Sequence, residues 1–412
     1  MTESSNGPVS VISSVKKYDF LVIGAGIIGL AIARKILKSN PRATVLVLEK
    51  EQNIGMHASG RNSGVLHAGF YYSPDSLKAK FCREGNALLS KLAKDHGIRV
   101  RETGKVVVAT TESQVETLKD LYSRGKQNGV QLDLFSESKL VDYEPLARTV
   151  DQFLWSPTTS VADKNEINNA LFQDVEKLGA KVVFGAEFVF EGKEFSLQGE
   201  AIKYSHLINC AGSSSLKIAK MMGFGAKYMM MPFLGAYRAV PTAKLPLRTL
   251  VYPIPDPVNP FLGTHFTITA DGYTKIGPTA LPVFFAEQYS FFEGWNVYDG
   301  RQTLEAMMRF LRNNLSTSIE MGNRELKRIF LTGLIDSASE LVPSAAHVSG
   351  WERKPAGIRA QLFDTTTKAL EQDFIVEGDS ESTHVLNAVS PGWTSSLAFA
   401  EWLVNDFARK SI

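Results

Sequence analysis

The apolar positions of this chain change period several times, and those changes divide it into elements. Phe20 to Ile23 is a continuous apolar run, the pattern of a parallel strand buried on both faces. A glycine turn and "IIGLAIARKIL" follow, so the segment reads as strand, turn, helix. "ATVLVLEK" is a second strand, ending in Glu49. Between 74 and 97, Leu77, Phe81, Leu88, Leu89 and Leu92 recur at helical spacing. "KVVVATT" predicts a strand, and a charged helix runs on to about Gly129. "DKNEINNALFQDVEKLGAKVVFG" reads as helix then strand, and "HLINCAGSSSLKIAKMMG" as strand, Ala211–Gly212 turn and helix. From about Lys227 to Arg353 strand and loop patterns dominate, with one or two helices near 301–315 and clustered prolines in "VYPIPDPVNP". "SPGWTSSLAFAEWL" predicts a closing helix.

Composition narrows the function classes. The chain has 412 residues, 44% hydrophobic and 21% charged, as expected of a globular protein of two or three domains. Lys plus Arg is 45 and Asp plus Glu is 43, a net charge of +2, which gives no electrostatic case for nucleic acid. Cys82 and Cys210 are too few for a disulfide framework and point to a reducing compartment. No paired Cys/His spacing occurs, so no metal site is expected. The longest uncharged apolar run, Phe20 to Ala33, is short for a membrane span. Residues 1–16 are polar, Ser-rich and without arginine, a flexible tail rather than a mitochondrial transit peptide. The expectation is a soluble intracellular chain, cytoplasmic first and mitochondrial as the alternative.

The first turn carries specific chemistry. Gly24, Gly26 and Gly29 form G-x-G-x-x-G between a strand and a helix. Gly24 permits the tight turn, Gly26 lets backbone N–H groups approach a pyrophosphate, and Gly29 lets the helix pack on the strand. The helix aims its positive end at the phosphates. Glu49 closes the next strand, where a carboxylate accepts from both ribose hydroxyls and repels a 2′-phosphate. The ligand is therefore NAD or FAD.

The sequence after Glu49 decides between them. "SGRNSGVLHAGFYYSPDSLKAKFC", "VYPIPDPVNPFLGTHFT", "GIRAQ" and "HVLNAVSPGWTSSLAFAE" resemble, in order, the FAD-dependent oxidoreductases of the D-amino-acid-oxidase-like superfamily. Within it the resemblance is strongest to the L-2-hydroxyglutarate dehydrogenase family, and it runs from Tyr18 to about Glu401. It implies an α/β fold: a Rossmann-type FAD-binding domain (17–100, 150–226 and 354–412) interleaved with a mixed-sheet α+β substrate domain (101–149 and 227–353). It implies non-covalent FAD, a small carboxylate substrate, and an acceptor that is a quinone, an electron-transfer protein or oxygen. The reaction implied is oxidation of a small L-2-hydroxy acid, L-2-hydroxyglutarate first, by hydride transfer to flavin N5. Alternatives are an amine or amino-acid oxidase of the same superfamily and a flavin-binding protein without turnover.

The resemblance also assigns residues. Ser59, Asn62 and Ser63 offer hydrogen bonds to phosphate or flavin, and Gly60 and Gly64 let the loop pass close to the cofactor. Arg61 either neutralises pyrophosphate charge or faces solvent. Ala211 and Gly212 make a second cofactor contact. Gly392, Thr394, Ser395 and Ser396 begin a helix whose N-terminus faces the flavin pyrimidine, or else act as plain caps. Arg359 holds the substrate carboxylate as a bidentate fork, with a surface ion pair as the other reading. One of His67, His265 and His384 is the general base, with His265 slightly ahead. "PFLGAYR" departs from the resembled dehydrogenases: Leu234 and Ala236 stand where those carry charged residues, and Arg238 is displaced. That change, and the aromatic "PVFFAEQYSFFEGW", leave room for a different 2-hydroxy acid.

Overall fold

The computed structural model describes residues 16–189, 195–197, 200–255, 261–289 and 297–410. The tail, the 256–260 part of the proline cluster and the 290–295 part of the aromatic run lie outside the described residues.

The first strand, Lys16–Ile23, lies central in a seven-stranded sheet. It pairs in parallel with Val45–Leu48 on one side and Glu200–Asn209 on the other, with Val22 level with Val47 and Ile208. Lys181–Val183 and Ser382–Asn387 extend the parallel core outward, and Ile375–Gly378 closes one edge antiparallel. Alternation buries both faces. Val22, Val47 and Ile208 pack with Leu30, Ile36, Leu171 and Phe399 from the helices, while Leu21, Ile23, Leu46 and Leu207 pack with Phe195 and Ile218. Helices Ile27–Ser39, Leu77–Asp95, Lys164–Lys177 and Gly392–Lys410 cover the first of these faces.

Gly29 lets the first helix dock. A Cβ there would overlap the Gly24 carbonyl oxygen. Gly29→Ala is expected to cost about 1–3 kcal/mol or more, as overpacking against backbone does. A denaturant midpoint equal to that of the parent would show that the turn can shift.

A ten-stranded mixed sheet forms the second layer. Its long pair is Tyr228–Pro241 against Glu352–Asp364, with Phe233 opposite Arg359. Leu250–Pro253 runs parallel to Lys105–Val108, and the remaining ladders are antiparallel. Two strands of this sheet lie within, or extend into, segments read as part of the FAD-binding domain. Gln152–Ser156 pairs with Lys105–Val108, and Glu352–Asp364 belongs wholly to this sheet. Their pairing partners are distant in sequence, so local pattern could not place them. Where one or two helices were expected, there are three: Val297–Asn313, Leu315–Ile329 and Leu331–Ser339. A three-stranded antiparallel ribbon of Val65–Leu66, Ser160–Ala162 and Val100–Arg101 joins the layers.

Candidate active site

A cavity of about 730 Å³ runs from the glycine turn to Arg359. It opens at the carboxyl ends of the parallel strands, where Ile23, Leu48 and Cys210 line it, the place where doubly wound sheets bind ligands.

At the nucleotide end, Gly24 has φ +99°, and a Cβ there would lie 2.6 Å from the Cys210 carbonyl oxygen. Gly24 and Gly26 line the wall, and Gly29 is a packing residue off it. Glu49 is buried; one carboxylate oxygen accepts from Ala25 N–H at 2.8 Å and the other from Glu51 N–H at 3.0 Å. It therefore braces the glycine turn as well as lining the cavity. Ser59 Oγ accepts from Ile27 N–H at 2.9 Å, which occupies one N–H of the first helical turn. Ala211 and Gly212 line the opposite wall, and beside Gly212 there is open space.

The glycine-rich loop is held by its own side chains. Asn62 donates to Ala58 and Ser59 carbonyls and accepts from Gly64 N–H at 2.8 Å. Asn62 also lines the cavity, with Ser63. Gly64 is off the wall, and a Cβ there would meet the Ala162 carbonyl oxygen at 2.5 Å. Arg61 lines the cavity and is partly buried. Its guanidinium donates to Met56 and Ala356 carbonyls and lies 3.9 Å from the Tyr289 ring centroid.

Beside this loop Glu51, His57 and Glu287 converge within reach of a metal ion. Lys50 already sits among them, 2.5 Å from Glu51 and 2.9 Å from Glu287, and His57 meets Tyr289 at 2.7 Å. The cluster is an ion-pair clasp between the two layers.

Gly392 and Thr394 line the cavity at the start of the last helix. Thr394 Oγ1 donates to the Val65 carbonyl and accepts from His67 N–H, fixing the strand that delivers His67. Ser395 and Ser396 are fully buried and are not among the lining residues.

The substrate end gathers Arg359, His265, His67, Tyr72, Tyr237 and Tyr252 on one wall. Arg359 makes no ion pair with a carboxylate among the described residues; its guanidinium carbon lies 5.0 Å from the Phe261 ring centroid. Burial lowers its pKa, and Tyr72 and Tyr237 oppose that shift. His265 is stacked on Tyr252 at 4.0 Å, with Nδ1 2.9 Å from the Gly263 carbonyl oxygen. An N–H at Nδ1 must donate there, which leaves Nε2 as the proton-accepting atom. Burial drops the His265 pKa to about 3, with Lys105, Lys275 and Arg359 adding to the drop. His67 is also held well below its ordinary value, by burial first and then by Lys105, His265 and Arg359. His384 is elsewhere. It is fully buried between Asn209 and Ser382, against the Phe224 ring, and is not among the lining residues. Its neighbours Val385 and Leu386 line the cavity instead.

Two lysines beside this site were not anticipated. Lys105 is fully buried, with Nζ 4.5–4.6 Å from the Phe70, Tyr71 and Tyr252 ring centroids and no hydrogen-bond partner. Burial takes its pKa down to about 7. Lys78 is buried on the cavity wall. Both were legible in principle. Strand alternation puts Lys105 on the face of core residue Val107, and helical spacing puts Lys78 on the stripe of Phe81, Cys82 and Leu89.

Residues 19–405 match the FAD dependent oxidoreductase family. The chain is 31% identical to the mitochondrial L-2-hydroxyglutarate dehydrogenase of Bos taurus, over 97% of this chain and 90% of that one. It is 32% identical to the L-2-hydroxyglutarate dehydrogenase of Escherichia coli K12, over 94% and 92%. Among solved structures, an L-alpha-glycerophosphate oxidase from Mycoplasma pneumoniae with FAD bound superimposes with TM-score 0.71 at 19% identity, covering 96% of this chain and 95% of that one. A glycine oxidase from Geobacillus kaustophilus gives TM-score 0.69 at 18% identity, covering 96% and 95%. The match over nearly the whole length, on a glycine turn and cavity built as above, shows that the chain belongs to the FAD-dependent oxidoreductases of the D-amino-acid-oxidase-like superfamily, in the branch of the L-2-hydroxyglutarate dehydrogenases.

Proposed function

We propose that this protein oxidises L-2-hydroxyglutarate to 2-oxoglutarate with FAD held non-covalently in the cavity. The observation that carries the reading is Arg359. It is a guanidinium without a carboxylate partner among the described residues, lining the same cavity as a histidine whose Nε2 is free to accept a proton. The cavity fits the cofactor: Gly24, Gly26 and Gly212 leave it open to backbone, and Glu49 closes the nucleotide end. Gly24, Gly26, Glu49, Ser59, Ser63, Ala211, Gly212, Gly392 and Thr394 would hold it. When bound, FAD supplies the two-electron acceptor. Arg359 takes the carboxylate next to the reacting carbon and sets its orientation. His265 Nε2 accepts the hydroxyl proton, and the Gly263 carbonyl keeps the ring in the tautomer that permits this.

The electrons pass on to a quinone, an electron-transfer protein or oxygen, and oxygen uptake measured with and without a soluble quinone separates these. No helix of the described residues is long and apolar enough to cross a membrane. We place the protein in the cytoplasm, with the mitochondrion as the alternative.

Anaerobic titration tests the substrate. L-2-Hydroxyglutarate is expected to bleach the flavin band, and the D enantiomer and amino acids are not. Bleaching by an amino acid and not by any 2-hydroxy acid would overturn the proposal. At the nucleotide end, Glu49→Ala is expected to weaken FAD binding by about 1.5–3 kcal/mol, the worth of hydrogen bonds to a charged group. Because Glu49 also accepts from Ala25 and Glu51, that variant frees two N–H groups, and Glu49→Gln keeps one acceptor. Equal FAD affinity in parent and both variants by equilibrium titration would remove Glu49 from the ribose.

A further inference from the structure

We infer that Lys78 and Arg359 form a two-cation clamp for a dicarboxylate, with Arg359 on the carboxylate beside the reacting carbon and Lys78 on the distal one. The inference rests on the proposed 2-hydroxy-acid oxidation and adds the residue that selects the acid.

Five cationic side chains line the cavity, and three of them are committed elsewhere. Lys50 is neutralised by Glu51 and Glu287. Arg61 donates to two backbone carbonyls. Lys217 is exposed to solvent. Lys78 and Arg359 remain, and neither makes an ion pair or side-chain hydrogen bond among the described residues. Lys78 is only 6% exposed, an unusual state for an unpaired ammonium.

Lys78 occupies the first turn of helix Leu77–Asp95, and its Nζ lies 5.9 Å from the Tyr72 ring centroid. Tyr72, Lys78 and Arg359 line the same cavity. Asp373 raises the Lys78 pKa less than burial and Arg359 lower it, and makes no ion pair with Lys78 among the described residues. Its oxygens accept from the backbone N–H groups of Leu77, Lys78 and Phe374 at 2.7, 3.0 and 2.9 Å. Asp373 is thus a cap that holds the start of the helix. Burial first and Arg359 second bring the Lys78 pKa down to about 7, with Asp373 and Cys82 opposing, so an anion between the two cations would favour the charged ammonium.

The departures in "PFLGAYR" supply no cation to the cavity. Leu234 and Ala236 are uncharged, and Arg238 lies off the cavity, paired in the strand ladder with Ile276 and Arg353. Lys78 is the cation that the wall supplies.

The test compares flavin-loaded parent, Lys78→Met and Lys78→Arg. The substrates are L-2-hydroxyglutarate and L-2-hydroxyvalerate, which has the same chain length and no distal carboxylate. Calorimetric affinity for glutarate adds a readout that needs no turnover. Lys78→Met is expected to lower kcat/KM for the dicarboxylate by about 10–100-fold, mainly through KM, as loss of one charge-assisted hydrogen bond does. The monocarboxylate should change far less, glutarate affinity should fall in parallel, and Lys78→Arg should recover most of the preference. The thermal midpoint of Lys78→Met should not fall, because the substitution removes an uncompensated buried charge. Should that variant fail to fold, Lys78→Gln reads the same split. If the parent prefers the dicarboxylate and the neutral variant keeps that preference, or loses both acids equally, the assignment of Lys78 is wrong while the reaction stands. If the parent oxidises the monocarboxylate as well as the dicarboxylate, the substrate reading and the clamp both fall.

Discussion

The His265→Asn variant should reduce its flavin about 10²–10⁴ times more slowly than the parent, the usual contribution of a positioned general base. Its flavin spectrum and substrate affinity should stay nearly normal. The magnitude follows from the role: asparagine can still bond to the Gly263 carbonyl through its amide, but it presents no atom of comparable basicity to the hydroxyl proton. The acid–base sign is definite. Burial takes the His265 pKa to about 3, so the ring is neutral and able to accept a proton at every pH from 5 to 9. The parent should therefore show no acid limb from this residue in that range. Stopped-flow reduction of His265→Asn and His67→Asn across that range separates the two histidines. If His265→Asn reduces at the parent rate and His67→Asn does not, the base lies on the strand that Thr394 positions.

The elements legible in the sequence are those in which local pattern and tertiary demand agree. The run Phe20 to Ile23, the glycines at 24, 26 and 29, and the helix behind them repeat one message: a parallel strand feeding a phosphate-binding turn. Helix Leu77–Asp95 was equally plain from its leucines. What local pattern missed depends on pairing or on direction. Gln152–Ser156 looks like any short strand, and only its partner Lys105–Val108 assigns it to the second sheet. Helix Leu315–Ile329 carries Ser, Thr, Gly and Asn, which blur its period. His384 lies in a stretch whose likeness pointed at the cofactor, but its ring is held between Asn209 and Ser382 while Val385 and Leu386 reach the wall. Asn62 shows the same limit at a single side chain. Its amide can serve a ligand or its own loop, and the turn geometry at Gly64 decides for the loop. Lys78 and Lys105 are buried charges on core stripes, the kind of local conflict that marks functional sites.

Arg359→Lys should keep its flavin and raise the acid concentration needed for half-reduction about 10–100-fold, equivalent to about 1.5–3 kcal/mol. The strand Glu352–Asp364 fixes the backbone of Arg359 opposite Phe233, and the Phe261 ring lies beside the guanidinium. A guanidinium keeps its charge even when burial lowers its pKa, as it does here, and it meets a carboxylate with two parallel N–H donors. Lysine keeps one charge and loses the fork. The bound acid is then free to pivot, so the rate at saturation should fall as well as the affinity. Arg359→Met should do more damage than Arg359→Lys, since it removes both the charge and the donors that meet the carboxylate. Flavin content from the absorbance ratio, and half-reduction by anaerobic titration, separate the roles. A variant that loses flavin, and that binds the acid normally once reconstituted, would make Arg359 a cofactor or structural residue. A variant that keeps flavin and needs far more acid for the same bleaching places the guanidinium on the substrate carboxylate.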